Sequence, residues 1–393
     1  MNRVRIIANH LGAQDVCIVA VGRSPILRSF DAFYDVTEAD LAGQTLEKTL
    51  ARYKIEASNI QEFYLGKVFT SNTGQALPKQ ILFKAGVPDS ISQMSVNKAC
   101  ASGMKALSLG FLSITSGNAN CVLAGGVENM SRIPYLLNLR KGIQTRVIDS
   151  LNYDGLPDAV TGEPPIIIAD VFNRKHGYTR QALDEYAKLS CQRAKEAKLK
   201  NKFEFEAVEI QHPKSKKLIK EDFIRDGKGM ENARAVNKDG YNTAMNSCGL
   251  SDGASFVIMC SREKAAKEGW KVLASVLSYA DAEQHARDFP STPTLATEKA
   301  LKVAGLTVSQ IDYMEINEPF ACVVLHNSKS LNFPINKINI YGGAISIGHP
   351  VGSSGCRIVG TLVNVLHQEN GKYGVASICN AGGGGSALVL KKE

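Results

Sequence analysis

VNKACASGMKALSLG, residues 96–110, decides how this chain is read, because a small-residue turn, a thiol and an amphipathic apolar run follow one another directly. Ser102 and Gly103 let a helix begin beside Cys100. The unpaired N–H groups and positive dipole end of that helix would then face the sulfur and favour its thiolate. Taken alone, the run fits a buried structural cysteine better, since that is the commoner state of a free thiol. Three other stretches tip the balance. GGAISIGHPVGSSGCRIVG (342–360) holds His349 between glycine-rich turns, and SICNAGGGGSALVL (377–390) ends an apolar strand in Cys379 and four consecutive glycines. EINEPFACVVL (315–325) puts Asn317 and Glu318 at the end of another apolar strand. A histidine is a base near neutral pH and a second thiol can pass protons to carbon, so the set points to acyl transfer.

Composition narrows the setting. The 393 residues are 44% hydrophobic and 21% charged, enough for a large core spread over two or three domains. CVLAGGV and IIIADVF are short and broken by Gly or acid, so no run approaches the ~18 apolar residues of a membrane span, and no membrane insertion is expected. Nine dispersed cysteines without a repeated C-x-x-C spacing argue against a disulfide framework and a zinc ribbon, predicting a reducing compartment and no metal. The net charge of +8 has its densest cluster in KSKKLIK (214–220), which lacks the interleaved aromatics of a nucleic-acid surface. It reads as a solvated loop or as a basic rim for a phosphate-bearing ligand.

The chain also contains a faint internal duplication. ACASGMKAL (99–107) aligns with VGSSGCRIV (351–359), and AGG at 124–126 with AGG at 381–383. The shared order of turn, helix, strand and glycine turn fits two similar α/β halves. Between them, residues 128–238 are richer in charge and broken by EPP (163–165). TRQALDEYAKLSCQRAKEA (179–197) there reads as a helix capped by Thr179, with Leu183, Tyr186, Ala187 and Leu189 among its inward positions.

With GQALPKQ (74–80), AGGVENMSRIPY (124–135) and LSDGAS (250–255), these runs resemble the thiolase family in the family's own order along nearly the whole chain. The resemblance implies an α/β thiolase fold: two duplicated βαβαβαββ halves forming a five-layer αβαβα core, plus an inserted loop domain. It sets an N-terminal half at 1–127, completed by about 247–272, a loop domain over the coenzyme A site at 128–246, and a C-terminal half at 273–393. By the same resemblance Cys100 is the nucleophile, His349 its base and Cys379 the acid/base at carbon. Asn317 holds a water for one oxyanion hole, and the backbone N–H groups of Cys100 and Ala381 form the other. Ala244, Cys248 and Phe320 are the implied coenzyme A contacts. No cofactor is implied, coenzyme A being substrate and product. The implied partners are acyl-CoAs and a second or further copy of the chain, as homodimer or homotetramer.

NKACASGMKAL, DYMEINE and GKYGVASICN look most like biosynthetic acetoacetyl-CoA thiolases, which condense two acetyl-CoA reversibly. A degradative 3-ketoacyl-CoA thiolase of broader chain length is the alternative, and a weakly catalytic acyl-CoA binder of the same fold is another. Several positions depart from the family pattern. Pro319 replaces the alanine of N-E-A-F, and Ala381 replaces a glycine, which strains the chain if that position needs positive φ. Met245 and Cys248 stand for the glycine and serine of T-A-G-N-A-S, and Pro164 and Pro165 precede the acyl pocket. RVRIIANHL (3–11) resembles the N-terminal nonapeptide of peroxisomal thiolases, with cytoplasm or mitochondrion as alternatives.

Overall fold

A computed structural model describes residues 15–137 and 146–393, so the RVRIIANHL segment lies outside the described residues. Strand β1 (Val16–Arg23) is buried along its whole length, as VCIVAVGR reads for a strand covered on both faces. Helix α1 (Glu38–Tyr53) starts at Thr37, whose side chain accepts from the Asp40 N–H, and stops at Lys54 in a left-handed conformation. There follow β2 (Glu62–Gly66), α2 (Leu77–Lys84), β3 (Ser92–Val96), α3 (Ser102–Thr115) and β4 (Cys121–Asn129). After an excursion carrying α4 (Pro165–His176) and α5 (Arg180–Leu199), the chain returns as β5 (Ser251–Ser261). The second half runs β6 (Ala274–Glu283), α6 (Thr292–Ala304), β7 (Tyr313–Ile316), α7 (Ala321–Ser330), α8 (Ser354–Gln368), β8 (Tyr373–Asn380) and β9 (Gly384–Lys392).

The strand order is β7-β8-β9-β6-β1-β5-β4-β2-β3, with the short strand Leu27–Arg28 beside β5. Each half repeats one pattern. In the first, β2 is parallel to β3 and β4, and β5 returns antiparallel between β4 and β1. In the second, β7 is parallel to β8, and β9 returns antiparallel between β8 and β6. The place of β3 is held there only by a parallel bridge of Ile338 to Met314. The halves meet where β1 and β6 pair over Val16–Ile18.

Three large apolar clusters show the layering. One packs α1 and α2 on the outer face of the first half, with Leu46, Phe63 and Phe256 at its centre. Another packs α6 and α7 on the second half through Ala300, Val323 and Val389. The third joins α3 and α8 to the inner faces of both halves through Met104, Leu107, Ile358 and Ile378. With α3 and α8 as one central layer, the order is helix, sheet, helices, sheet, helix: the five-layer core that the family resemblance implies.

α3 begins at Ser102 and α8 at Ser354, the serines matched in the duplication. The two helices pack so closely that a Cβ on Gly355 would lie 2.0 Å from the Met104 nitrogen, and one on Gly103 would lie 2.9 Å from the Cys356 nitrogen. The AGG match does not survive. Residues 124–126 are in the middle of β4, whereas 381–383 form the turn between β8 and β9, so that similarity is fortuitous.

α5 follows the predicted helix: Thr179 accepts from the Ala182 N–H, Leu183, Tyr186 and Ala187 are buried, and Leu189 is half-buried. EPP is no break in helical structure. Pro164 is the cap of α4 and Pro165 its first residue, where a missing N–H costs nothing.

Candidate active site

The close pairing of α3 and α8 brings two loops together at one end of the central layer. In the first loop Ala99 adopts a left-handed conformation (φ 45°), at a cost of about 1 kcal/mol for a residue with a side chain. Ser102 holds this turn: its hydroxyl donates to the Ala99 carbonyl (2.6 Å) and accepts from the Lys98 N–H (2.9 Å). Cys100 sits at the crest, half-buried, two residues before α3 begins.

The expected thiolate is not the resting state. Burial pushes the Cys100 thiol up to about 11, and the backbone N–H groups of Cys100 itself and of Ala381 offset that only in part. Ala381 nonetheless presents its N–H to the sulfur without strain, because the positive φ angles of its turn fall on Gly382 (88°) and Gly383 (97°).

In the second loop His349 is buried and held from both sides. Its Nδ1 lies 2.6 Å from Ser354 Oγ, and that hydroxyl donates its own proton to the Pro350 carbonyl (3.0 Å). The hydroxyl oxygen is left as acceptor, so the imidazole proton is on Nδ1 and the Nε2 lone pair is free to receive one. Asn317 Nδ2 lies 3.4 Å from that Nε2, long for a hydrogen bond, and Asn317 Oδ1 has no partner among the described residues. Burial and, second, the charge of Arg357 push the imidazole down to about 3, so it is neutral at physiological pH.

Cys100, His349, Cys379 and Ala381 line one cavity of about 120 Å³. Burial also pushes the Cys379 thiol well up, and the proximity of Cys100 adds to the shift. The remaining wall is largely apolar, with Phe69, Met130, Leu156, Ile168 and Phe289 prominent. Such a space suits a short acyl chain held against two thiols and an imidazole.

The inferred coenzyme A contacts divide. Cys248 and Phe320 line the cavity, but Ala244 is exposed and does not. The NEPF and TAMNSC segments pair with each other: the Cys248 N–H donates to the Pro319 carbonyl (3.0 Å) and the Ala321 N–H to the Asn246 carbonyl (3.1 Å). Pro319 therefore contributes its carbonyl where its lost N–H is not needed. None of the KSKKLIK residues lines the cavity, and Lys214 and Lys220 pair with Asp35 and Glu209.

Several supporting residues escaped the sequence reading. Ser354 is one, although the S-G shared with Ser102 in the duplication pointed to it. Glu318 receives Tyr186 Oη, Ser190 Oγ, Asn339 Nδ2 and the Ile345 N–H, fastening α5 to the loop that leads into His349. Glu128 pairs with Lys67 and accepts from the Val68 (3.0 Å) and Gly352 (3.1 Å) N–H groups, tying the segment after β2 to the loop that carries His349. Arg225 donates to the carbonyls of Ala244, Met245 and Ser247 and so shapes the loop before Cys248. A buried carboxylate whose donors come from distant segments has no local sequence signature.

Comparison with known proteins agrees with this geometry. The thiolase N-terminal domain matches residues 16–263, and the thiolase C-terminal domain matches residues 270–392. A probable acetyl-CoA acetyltransferase of Dictyostelium discoideum is 40% identical over 96% of this chain and 94% of its own length. Acetyl-CoA acetyltransferase 1 of Arabidopsis thaliana is 38% identical over 97% and 95%. Among solved structures, human mitochondrial 3-ketoacyl-CoA thiolase superposes with a TM-score of 0.92 at 31% identity, covering 96% of this chain and 99% of that one. A thiolase from Ascaris suum in complex with coenzyme A gives 0.90 at 33% identity, covering 97% and 100%.

Proposed function

The chain belongs to the thiolase family, and we propose that it is an acetyl-CoA C-acetyltransferase, joining two acetyl-CoA reversibly into acetoacetyl-CoA and CoA through an acyl-Cys100 intermediate. The observation that carries this reading is the convergence of Cys100, His349 and Cys379 on one small apolar cavity.

In the condensing direction the Cys100 sulfur attacks the thioester carbonyl of the first acetyl-CoA while its proton passes to His349 Nε2. The carbonyl electron pair moves to oxygen, facing the N–H groups of Cys100 and Ala381. Collapse expels the CoA sulfur, which takes the proton from His349 and leaves as CoA–SH. The Cys379 thiol then passes its proton to His349 Nε2, and the second acetyl-CoA loses an α-proton to the Cys379 thiolate so formed. Its carbon attacks the acyl-Cys100 carbonyl, and the S–C bond breaks to release acetoacetyl-CoA and return Cys100 to thiolate, which recovers the proton held by His349. Asn317, with a bound water, and His349 support the enolate oxygen. Removing one such donor raises the barrier by roughly 3 kcal/mol. No step draws on a resident metal or prosthetic group. Coenzyme A is bound near Cys248 and Phe320.

The human thiolase similarity favours, as a second reading, cleavage of longer 3-ketoacyl-CoAs. Turnover of acetoacetyl-CoA against a long-chain 3-ketoacyl-CoA separates the two. Preference for acetoacetyl-CoA supports the acetyltransferase, and preference for the long chain overturns it.

Two further parts of the reading concern the assembly and its place. The edge strand β3 is largely exposed, with Met94 turned outward and Phe83 exposed nearby on α2, and this supports a homodimer formed through that edge. RVRIIANHL supports import into peroxisomes. Residues 1–15 fused to a fluorescent reporter test that, diffuse cytosolic signal being the contrary result.

A further inference from the structure

One residue of the cavity wall is held in place from both ends. Phe69, in the segment after β2, is buried and lines the cavity shared by Cys100, His349 and Cys379. Its N–H donates to Glu128 Oε1 (3.2 Å), and the Val68 N–H beside it to Glu128 Oε2 (3.0 Å). Glu128 is itself buried and paired with Lys67, so the backbone under Phe69 is anchored to β4. The tip of the ring is stopped by Gly155, which ends a single turn, Leu151–Gly155, in the segment between the halves. A Cβ on Gly155 would lie 2.0 Å from Phe69 Cζ and 2.4 Å from Cε1. Gly155 has no positive φ to require a glycine, so it is the ring that excludes a side chain there. Asp149 fastens the turn in its place, accepting from the Leu151 N–H (3.0 Å) and from Asn152 Nδ2 (2.6 Å).

Other parts of the apolar wall differ. Met130 is unbranched and yields to a longer chain by changing rotamer. Phe289 leans on Phe320, ring centroids 6.2 Å apart, and so stands on the side assigned to coenzyme A. Phe69 has no such freedom: a packed interior does not make room for extra methylenes, and a ring stopped at its tip cannot swing out of their way.

In cleavage of a 3-ketoacyl-CoA the Cys100 sulfur bonds to C3 while its proton passes to His349 Nε2. The C2–C3 bond then breaks, its electron pair takes the Cys379 proton at C2, and acetyl-CoA leaves; Cys379 recovers a proton from His349. What stays on the sulfur, and must fit a cavity of about 120 Å³, is the chain from C3 outward. We propose that Phe69, stopped by Gly155, is the specificity-determining residue that limits this acyl group to acetyl. The inference rests on the acyl-transfer reading of Cys100 and adds to it the side chain that sets acyl length.

The test compares single-turnover acylation of Cys100 by acetoacetyl-CoA, 3-ketohexanoyl-CoA and 3-ketooctanoyl-CoA, read from the mass of the full chain and of the Cys100 peptide. Wild type transfers acetyl at least about 100-fold faster than butanoyl, each misfitting methylene being worth roughly tenfold or more. Phe69→Ala narrows that ratio at least about tenfold, and butanoyl and hexanoyl accumulate on Cys100. General loosening of the fold slows both transfers together, so the ratio reports the wall and not stability. An unchanged ratio in Phe69→Ala, beside a wild-type preference for acetyl, overturns the role of Phe69 alone. Wild type that takes butanoyl as fast as acetyl overturns the short-chain limit, and a Cys100 acylated by none of the three overturns the acyl-transfer reading itself. If Phe69→Ala does not fold, Phe69→Leu, which trims the ring less, is held to the same criteria. Gly155→Ala slows acetyl transfer when Phe69 is present and not in the Phe69→Ala background; equal slowing in both overturns the contact as the stop.

Discussion

The chemistry of the site turns on which sulfur gives up a proton and when. Cys100 at about 11 and His349 at about 3 rest as neutral partners, so the thiolate fraction of the free protein rises with pH instead of falling. Alkylation of Cys100 is therefore predicted to accelerate about tenfold per pH unit from 7 to 10 without a plateau. A rate already level at pH 7 would mean a stored thiolate. The two thiols also separate by step. Cys379→Ala is predicted to keep acetylation of Cys100 by acetyl-CoA while slowing condensation by roughly 10²–10⁴-fold, the usual worth of a positioned acid/base, as read by acetoacetyl-CoA formation. Equal loss of both steps would contradict the division of labour. Motifs around Cys100, His349 and Cys379 were legible in sequence because each places a reactive side chain beside small residues, whereas Asn317, between Ile316 and Glu318, was read from the family resemblance. The protonation state was not legible, since it depends on burial by residues far away in the chain.

At the scale of elements, the site exists because two central helices can touch. Gly103 and Gly355 let α3 and α8 approach to backbone contact, and this fixes the distance between the loops bearing Cys100 and His349. Gly355→Ala places a methyl 2.0 Å from the Met104 nitrogen and is predicted to destabilise the fold by about 3 kcal/mol, measured as a drop in denaturant midpoint with the transition slope unchanged. An unaltered midpoint would show that the helices can move apart freely. The S-G pairs of the duplication mark where both helices begin, although their contact was not foreseen, and the capped helix α5 was plain from its period and Thr179. The AGG match misled because three small residues recur by chance, and EPP misled because a proline pair opens a helix as readily as it breaks one.

For the whole molecule, the two halves and their intervening segment divide the work. The layered core holds the thiols and the imidazole, while α4, α5 and the 243–248 loop close over them, fastened by Glu318 and Arg225. The fold was legible because seven motifs occur in one order over nearly the full length. The loop contacts were less so: Cys248 and Phe320 reach the cavity, but Ala244 is turned out of it, since pairing with NEPF sets which residues face inward. If β3 is the dimer edge, Met94→Lys weakens self-association, read as a lower mass in light scattering at micromolar protein; an unchanged mass places the interface elsewhere. Each of these roles depends on covalent acyl transfer to one sulfur. Intact mass after mixing with acetoacetyl-CoA, followed by peptide mapping, tests that most directly: one acetyl group on the peptide containing Cys100 is the predicted result, and an unmodified chain, or acetyl found only on another residue, contradicts it.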